Sequence, residues 1–325
     1  MIELTENNGA AMEQFVSETQ CFCLDCDGVI WKGSELLPHV KETLESLRKL
    51  NKRFFFITNN SSNSRKGYLK KFQSLGLHVD VSEILTSSYA AAVYAKEHAI
   101  EKAYVIGGDG IKEELELIGV EACGFEEHLH KSLKEEEFLH EWEEFTKKYP
   151  VESIGAVIIG YDNRFNNFKL AMAHQILRKN PKCLFMATNT DATLPYKNNL
   201  FFPGGGCFVS ALSTAIGRKP DIVAGKPSTL LLDTALHILY EECKDKVTPE
   251  NRHVSVCMVG DRLETDITLG NRTGVKSVCV LTGVATREHL NEVIESSSKQ
   301  EDKKLLIPQY LLPELALLRT VVLMK

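Results

Sequence analysis

The sequence lacks any apolar run long enough to span a bilayer, and it has no excess of basic charge. Its first residues, MIELTENNGA, contain no basic segment ahead of an apolar one, so we expect no signal peptide. The chain has 38 basic side chains against 44 acidic ones, a formal net charge of −6. Nucleic acids and anionic membranes require a concentrated basic face, so we expect neither as a main partner.

A complete set of internal disulfides is also excluded, because nine cysteines is an odd number. No second Cys/His pair has zinc-ligand spacing, and Cys23 and Cys26 close an apolar run instead of opening a helix, as redox pairs usually do. Cysteines inside apolar runs predict buried thiols in a reducing compartment, and therefore a cytoplasmic protein. These cysteines are Cys21, Cys23, Cys183, Cys257 and Cys279.

The 325 residues suggest two domains, and 43% hydrophobic content is ordinary for a globular chain. Short apolar runs alternate with helix-patterned segments, which predicts an α/β fold with parallel sheets covered on both faces. The predicted strands are Cys21–Leu24, Arg53–Thr58, Ala103–Ile106, Ala156–Ile159, Cys183–Ala187, Ile222–Ala224, Val254–Val259 and Lys276–Leu281. The charged segment Glu126–Lys148 predicts an amphipathic helix, and Ser296–Lys304 a surface loop.

Four of the apolar runs end in groups suited to binding phosphate or a metal ion. The groups are Asp25 with Asp27, Thr58 followed by Asn59 and Asn60, Lys226, and Asp261 with Asp266. Each group alone is more typical of a helix cap or a turn. Ligands of parallel α/β sheets bind beyond the carboxyl ends of the strands, so we expect the groups to converge on one crevice.

Three other runs end in Asp109, Asp162 and Asp191, without a lysine or a second acid two residues on. We interpret their strands as a second, smaller α/β layer. The glycines at 107–108 and 204–206 do not complete a dinucleotide fingerprint. The segment AGKPS lacks the earlier glycine of a phosphate-binding P-loop, which argues against a P-loop ATPase.

The converging acids require a cation. Two carboxylates about 4 Å apart repel each other by roughly 4 kcal/mol at an effective dielectric of 20. Asp261, Asp266 and a phosphate dianion would add further negative charge. Carboxylate ligands beside a phosphate favour Mg²⁺ with retained waters, and Lys226 would supply the other positive charge.

The same groups predict phosphoryl transfer. Asp25 would attack the phosphorus and form an aspartyl-phosphate, while Asp27 would protonate the leaving oxygen and then activate water. Gly28 would let the chain turn sharply after the strand. The Thr58 hydroxyl and the backbone N–H of Asn59 would hold the phosphoryl oxygens.

These motifs resemble those of the haloacid-dehalogenase-like phosphatase superfamily. DCDGV at Asp25–Val29, TNNSS at Thr58–Ser62, GKP around Lys226 and GDRLETD at Gly260–Asp266 match its four motifs in order and separation. IIGYDNRFNNFKL, ATNTD and PGGGCFVSAL resemble the type-2 cap of the 4-nitrophenylphosphatase and phosphoglycolate phosphatase group. The resemblance implies a Rossmann-like parallel-sheet core domain, residues 1–101 and 220–325, with a smaller inserted α/β cap domain at 102–219.

The resemblance also implies a role for each motif residue. Asp25 would be the nucleophile and a Mg²⁺ ligand, and Asp27 the acid/base and a ligand through its backbone carbonyl. Asp261 would be the third protein ligand. Asp266 would either bind the ion directly or contact one of the residues that do. Phosphate would be bound by Thr58, Asn59, Asn60 and Lys226. The family implies a homodimer through the cap.

The cap loop bears on the substrate. Relatives that hydrolyse pyridoxal phosphate carry a histidine where this chain has Leu194. The loop is similar to that of phosphoglycolate phosphatases, although Gly204–Gly206 depart from the family's Gly-x-Gly. We therefore expect a small phosphorylated metabolite, first 2-phosphoglycolate and alternatively pyridoxal phosphate, whose non-phosphate end contacts Ala187–Asn198.

Two further classes remain as alternatives. A phospho-accepting receiver module also uses aspartate, threonine, lysine and Mg²⁺, but it is much shorter and needs neither a cap nor an acid at position 27. A binding protein with an inactive site is the other alternative, although every required group is present in this chain.

Overall fold

The computed structural model describes residues 1–195, 200–297 and 301–323. The strands of these ranges are β1 Ile2–Glu3, β2 Cys21–Asp25, β3 Trp31–Lys32, β4 Glu35–Leu36, β5 Arg53–Thr58, β6 Ile84–Thr86, β7 Lys102–Ile106, β8 Glu121–Cys123, β9 Ala156–Ile159, β10 Leu184–Ala187, β11 Thr193–Pro195, β12 Phe201–Pro203, β13 Ile222–Val223, β14 Val256–Gly260, β15 Lys276–Val280 and β16 Tyr310–Leu312.

The helices are α1 Gly9–Glu18, α2 Val40–Lys49, α3 Arg65–Ser74, α4 Ser87–Glu97, α5 Asp109–Leu117, α6 Glu135–Lys148, α7 Asn167–Lys179, α8 Gly205–Ile216, α9 Leu230–Glu242, α10 Arg252–Ser255, α11 Thr268–Thr273, α12 Arg287–Ser297 and α13 Leu318–Leu323. No described helix is both long enough and apolar enough to cross a membrane.

One compact unit comprises Met1–Thr58, Leu69–Leu85 and Lys226–Lys325. Its sheet has the strand order β1-β16-β15-β14-β2-β5-β6, and β2 pairs in parallel with β14 on one side and β5 on the other. Every residue of β2 is buried, as expected for a strand covered on both faces. This parallel sheet with its helices confirms the predicted α/β, Rossmann-like core.

The register of this sheet aligns the strand ends that carry the predicted site. Leu24 pairs with both Val259 and Phe56, and Asp25 pairs with Ile57. The residues that end or directly follow these strands therefore meet at the carboxyl edge of the sheet, where ligands of such folds bind.

The second compact unit comprises Asn59–Tyr68 and Thr86–Gly225. Its five-stranded sheet has the order β13-β10-β9-β7-β8, with parallel pairs throughout, and β11 and β12 form a separate antiparallel pair. The second α/β layer predicted from the strands at 103–106, 156–159 and 183–187 is confirmed. The domain limits implied by the resemblance stay predictions.

The strand before Lys226 belongs to this second sheet, because Ile222 pairs with Met186 and Val223 with Ala187. Our expectation that Lys226 follows a strand of the first sheet was wrong. A strand of two half-buried residues has no pattern that distinguishes one parallel sheet from another.

The charged segment is helical only from Glu135, and its earlier part forms turns after Gly124. Three glutamates in the first turn favour a helix start there, since they complement the positive end of the helix dipole. Trp142 and Phe145 lie in the core of the second unit, as predicted from their spacing. The surface loop expected at Ser296–Lys304 was wrong for its described part, which ends α12 and begins a 3₁₀ turn at Glu301–Leu306.

All nine cysteines are free thiols. The five that we predicted to be buried are buried, and so is Cys26, whose thiol forms no disulfide with Cys23. The Cys-x-x-Cys pattern thus consists of two buried thiols at the end of β2, and the cytoplasmic location stays a prediction.

Candidate active site

The loop after β2 turns back sharply and so presents two acids at the sheet edge. Asp25 ends β2 and is buried, whereas Asp27 is exposed. The Gly28 N–H donates to the Trp31 carbonyl over 2.7 Å. Gly28 has φ +86°, and a Cβ there would overlap the carboxylate of Asp261. Only glycine fits this left-handed, crowded position without strain.

Lys226 links the first acid to a second acid group. Its Nζ donates to Asp25 Oδ1 and, over 3.3 Å, to the Ile57 carbonyl, and it lies 2.7 Å from Asp266 Oδ1. Burial opposes the charge on this ammonium, but the two carboxylates outweigh burial and raise the Lys226 pKa above its ordinary value. The lysine therefore stays cationic while almost wholly buried.

Three buried carboxylates surround this ammonium. One oxygen each of Asp25, Asp261 and Asp266 lies within 4.8 Å of the others. Asp261 Oδ2 accepts from the Val284 N–H over 2.7 Å. Three carboxylates against one ammonium leave an excess of two formal negative charges, which matches the charge of a divalent cation.

Burial is the main cause that disfavours the charged forms of Asp25 and Asp261, and repulsion between the carboxylates adds to it. Burial, followed by repulsion from Asp266, raises the pKa of Asp261 to about 6. Burial is also the largest cause that raises the pKa of Asp25 well above its ordinary range, and Lys226 opposes the shift. The residues present therefore fit a Mg²⁺ ion held by Asp25, Asp261 and Asp266, since such an ion offsets the repulsion.

Thr58 ends β5 and is buried, so it lies at the same edge as Asp25. Asn59 and Asn60 follow it in the chain, and their side chains bond within the second unit. The Asn59 amide donates to Asp191 Oδ2 over 3.1 Å, and Asn60 Oδ1 accepts from the Ser62 N–H over 2.8 Å. The structure thus brings Asp25, Lys226, Asp261 and Asp266 together.

The segment ATNTD makes contacts with Asn59 that we did not predict from the sequence. Asp191 was grouped with the other strand-end acids, yet it accepts from the Asn59 side chain, and Asn189 Nδ2 donates to the Asn59 carbonyl over 2.8 Å. The Ser87 hydroxyl donates to the same carbonyl over 2.7 Å. The repeated Thr-Asn at the ends of β5 and β10 was a signal for this pairing, because both pairs follow buried strands.

The glycines at 204–206 have a packing role against the same segment. The Gly206 N–H donates to the Asp191 carbonyl over 2.9 Å, and a Cβ at Gly206 would overlap the Thr190 carbonyl. Glycine is needed here because two backbone segments approach closely.

The other strand-end acids have structural partners. Asp162 forms a fully buried ion pair with Lys169 over 2.7 Å, and Asp109 pairs with Arg164 at the surface. Asp162 has a lysine partner, contrary to our expectation: Lys169 lies seven residues on, in the first turn of α7.

Comparison with known proteins agrees with this geometry. A family model described as haloacid dehalogenase-like hydrolase matches residues 22–121, and a related HAD-hydrolase-like model matches residues 223–304. The chain is 41% identical over 278 residues to phosphoglycolate phosphatase 1A, chloroplastic, of Arabidopsis thaliana, covering 84% of this chain and 72% of that protein. It is 34% identical over 311 residues to mouse glycerol-3-phosphate phosphatase, covering 93% and 90%.

Solved structures show the same likeness. A p-nitrophenyl phosphatase from Archaeoglobus fulgidus superposes with a TM-score of 0.73 at 29% identity, covering 93% of this chain and 98% of that one. A glycerol phosphate phosphatase from Mycobacterium tuberculosis, solved in complex with magnesium, gives a TM-score of 0.71 at 26% identity, covering 94% and 77%.

The parallel sheet and these matches define a hydrolase with a Rossmann-like α/β core. The chain belongs to the haloacid dehalogenase-like hydrolase family, in which its curated relatives are phosphatases, and it is itself a phosphatase. Its substrates are therefore small phosphorylated compounds. This membership favours the enzyme over the receiver-module alternative.

Proposed function

We propose that this phosphatase is a Mg²⁺-dependent phosphomonoesterase of small phosphorylated acids, with 2-phosphoglycolate as its preferred substrate. The observation that carries the proposal is the buried cluster of Asp25, Asp261 and Asp266 around the Lys226 ammonium. The substrate is supported by the 41% identical relative named phosphoglycolate phosphatase and by Leu194 in the loop.

The first half of the reaction transfers the phosphoryl group to the enzyme. An oxygen of Asp25 forms a bond to phosphorus as the bond to the leaving oxygen breaks, and Asp27 donates its proton to that oxygen. The Lys226 ammonium, the Thr58 hydroxyl and the backbone N–H of Asn59 face the phosphoryl oxygens and stabilise their charge in the transition state.

The second half regenerates the enzyme. Asp27, now ionised, takes a proton from a water molecule, which attacks the phosphorus of the aspartyl-phosphate. The acyl phosphate bond breaks, inorganic phosphate leaves, and Asp25 returns to its carboxylate form. Mg²⁺ would be held by Asp25 and Asp261, by the Asp27 carbonyl and by Asp266 directly or through water, and it supplies positive charge opposite the phosphoryl oxygens.

We also propose that the inserted domain selects the substrate through Ala187–Asn198. Of this segment, residues 196–199 lie outside the described residues. Asn60 stays among the proposed phosphate-binding residues, and its Oδ1 accepts from the Ser62 N–H.

A screen of phosphoesters with the purified enzyme tests the proposed function. We expect the highest kcat/KM for 2-phosphoglycolate, and lower values for glycerol 3-phosphate, pyridoxal 5′-phosphate and 4-nitrophenyl phosphate. Excess chelator should abolish turnover, and added Mg²⁺ should restore it, since the acid cluster needs a cation. A higher kcat/KM on pyridoxal 5′-phosphate or glycerol 3-phosphate would contradict the proposed preference for 2-phosphoglycolate. Turnover in excess chelator would contradict the proposed dependence on Mg²⁺.

We further propose a homodimer through the inserted domain. Two large apolar side chains beside the β11–β12 pair, Leu200 and Phe201, are 55% and 62% exposed, which is typical of a surface that another chain covers. Sedimentation equilibrium should give twice the chain mass for the native protein and a weaker association for Phe201→Ser. A monomer at all concentrations would contradict the proposal.

A further inference from the structure

The indole of Trp31 is fully buried, and a buried indole N–H needs an acceptor. It donates from Nε1 to Asp27 Oδ1 over 3.0 Å. The two residues face each other because the chain turns at Gly28 and the Trp31 N–H reaches back to the Cys26 carbonyl over 3.2 Å. The buried Trp31 indole is therefore hydrogen-bonded to the exposed Asp27 carboxylate.

The ring itself is held firmly. Phe72 packs against it edge-on with centroids 4.9 Å apart, and Lys71 places its ammonium 4.0 Å from the ring centroid. Such aromatic and cation–π contacts fix the plane of the ring, and hence the direction of its N–H.

An exposed aspartate without such a bond samples several rotamers. The bond from a fixed indole selects one orientation and occupies Oδ1, which leaves Oδ2 to face the reacting groups. We propose that Trp31 is a positioning residue for acid/base catalysis: it holds Asp27 by Oδ1 so that Oδ2 gives a proton to the leaving oxygen and later takes one from water. This inference rests on the proposed role of Asp27.

The role has a specific kinetic consequence. An alkoxide leaves poorly without a proton, whereas 4-nitrophenolate leaves readily, so general acid catalysis matters far more for alkyl phosphates. Because kcat/KM reports the steps up to the first irreversible one, it isolates phosphoryl transfer from the later hydrolysis of the intermediate.

The test compares Trp31→Phe with the native enzyme on 2-phosphoglycolate and on 4-nitrophenyl phosphate. Loss of the N–H should lower kcat/KM about tenfold on the alkyl ester and less than about twofold on the aryl ester. Equal losses on both esters would show a merely structural role and overturn the inference, and so would no loss on either.

Asp27→Asn separates this inference from the proposed function. We expect it to lower kcat/KM on the alkyl ester by about 10²- to 10⁴-fold. If Asp27→Asn retained full activity on that ester, the proposed mechanism would fail. If only Asp27→Asn showed the selective loss, the mechanism would stand and the role of Trp31 would fall.

A second measurement keeps Trp31 in place. The chain has two tryptophans, and Trp142 lies in the core of the second unit, so Trp142→Phe leaves Trp31 as the sole tryptophan with turnover unchanged. Adding Asp27→Ala in this background should shift the Trp31 emission maximum, because the bonded carboxylate is removed. An unshifted maximum would show that the bond is absent in solution and would overturn the inference.

Discussion

Asp25→Asn lowers kcat on every phosphoester by about four to six orders of magnitude, because the amide cannot form the acyl phosphate. The loss should come without unfolding. Burial raises the pKa of Asp25 and disfavours its charged form, so a neutral amide of the same shape relieves that cost. Lys226 keeps its second carboxylate partner, Asp266, at 2.7 Å. Steady-state kinetics and thermal unfolding together check this expectation.

The matched control is Asp109→Asn. Asp109 also follows a buried strand, but its side chain is 66% exposed and pairs with Arg164 at the surface. Surface ion pairs contribute little to the free energy of unfolding, so the activity and stability of Asp109→Asn should stay close to those of the native protein. If Asp25→Asn turned over more than a few per cent of the native rate, the nucleophile would lie elsewhere and the proposed mechanism would be wrong.

The parts of the site that the sequence predicted come from strands with strong local patterns. β5 has the predicted bounds Arg53–Thr58, and β2 differs from its prediction only by including Asp25. Both are continuous apolar runs, as strands buried on both faces require. Because their carboxyl ends share one edge, locating the strands also located Asp25 and Thr58.

The parts that the sequence did not predict depend on contacts between distant residues. Asn59 and Asp191 are 132 positions apart, and beyond the repeated Thr-Asn nothing local to either residue indicates that they pair. β13 has only two residues, and a pattern this short does not indicate to which sheet the strand belongs. We therefore did not predict its position beside β10. The bond from Trp31 to Asp27 spans four residues, but it forms only because the loop turns at Gly28.

The segment that carries Asp266 shows a similar limit. A wide π-helical turn at Leu263–Ile267 precedes α11. The widened turn carries Asp266, whose Oδ2 accepts from the Arg262 N–H over 3.1 Å. Such turns are frequent at functional sites and have no periodic signature in the sequence.

Lys226→Met is expected to lower kcat/KM about 10²- to 10³-fold, as the loss of one preorganised charge facing a phosphoryl group does in other enzymes. It also removes the ammonium between Asp25 and Asp266, so the metal-free protein should lose about 3–5 kcal/mol of unfolding free energy. The excess negative charge of the cluster would rise from two to three. Mg²⁺ should therefore stabilise this variant more than it stabilises the native protein, which urea unfolding in chelator and in Mg²⁺ measures.

Lys276→Met supplies the matched control, since it makes the same change at another buried lysine. Lys276 begins β15 at the opposite end of the strands, and its Nζ lies 3.0 Å from Glu18 Oε2. This variant should lose stability in chelator and in Mg²⁺ alike, while each folded molecule keeps native turnover. If the two variants showed the same response to Mg²⁺, or if Lys226→Met kept native kcat/KM, then Lys226 would be a structural lysine and the cluster would not be a phosphate site.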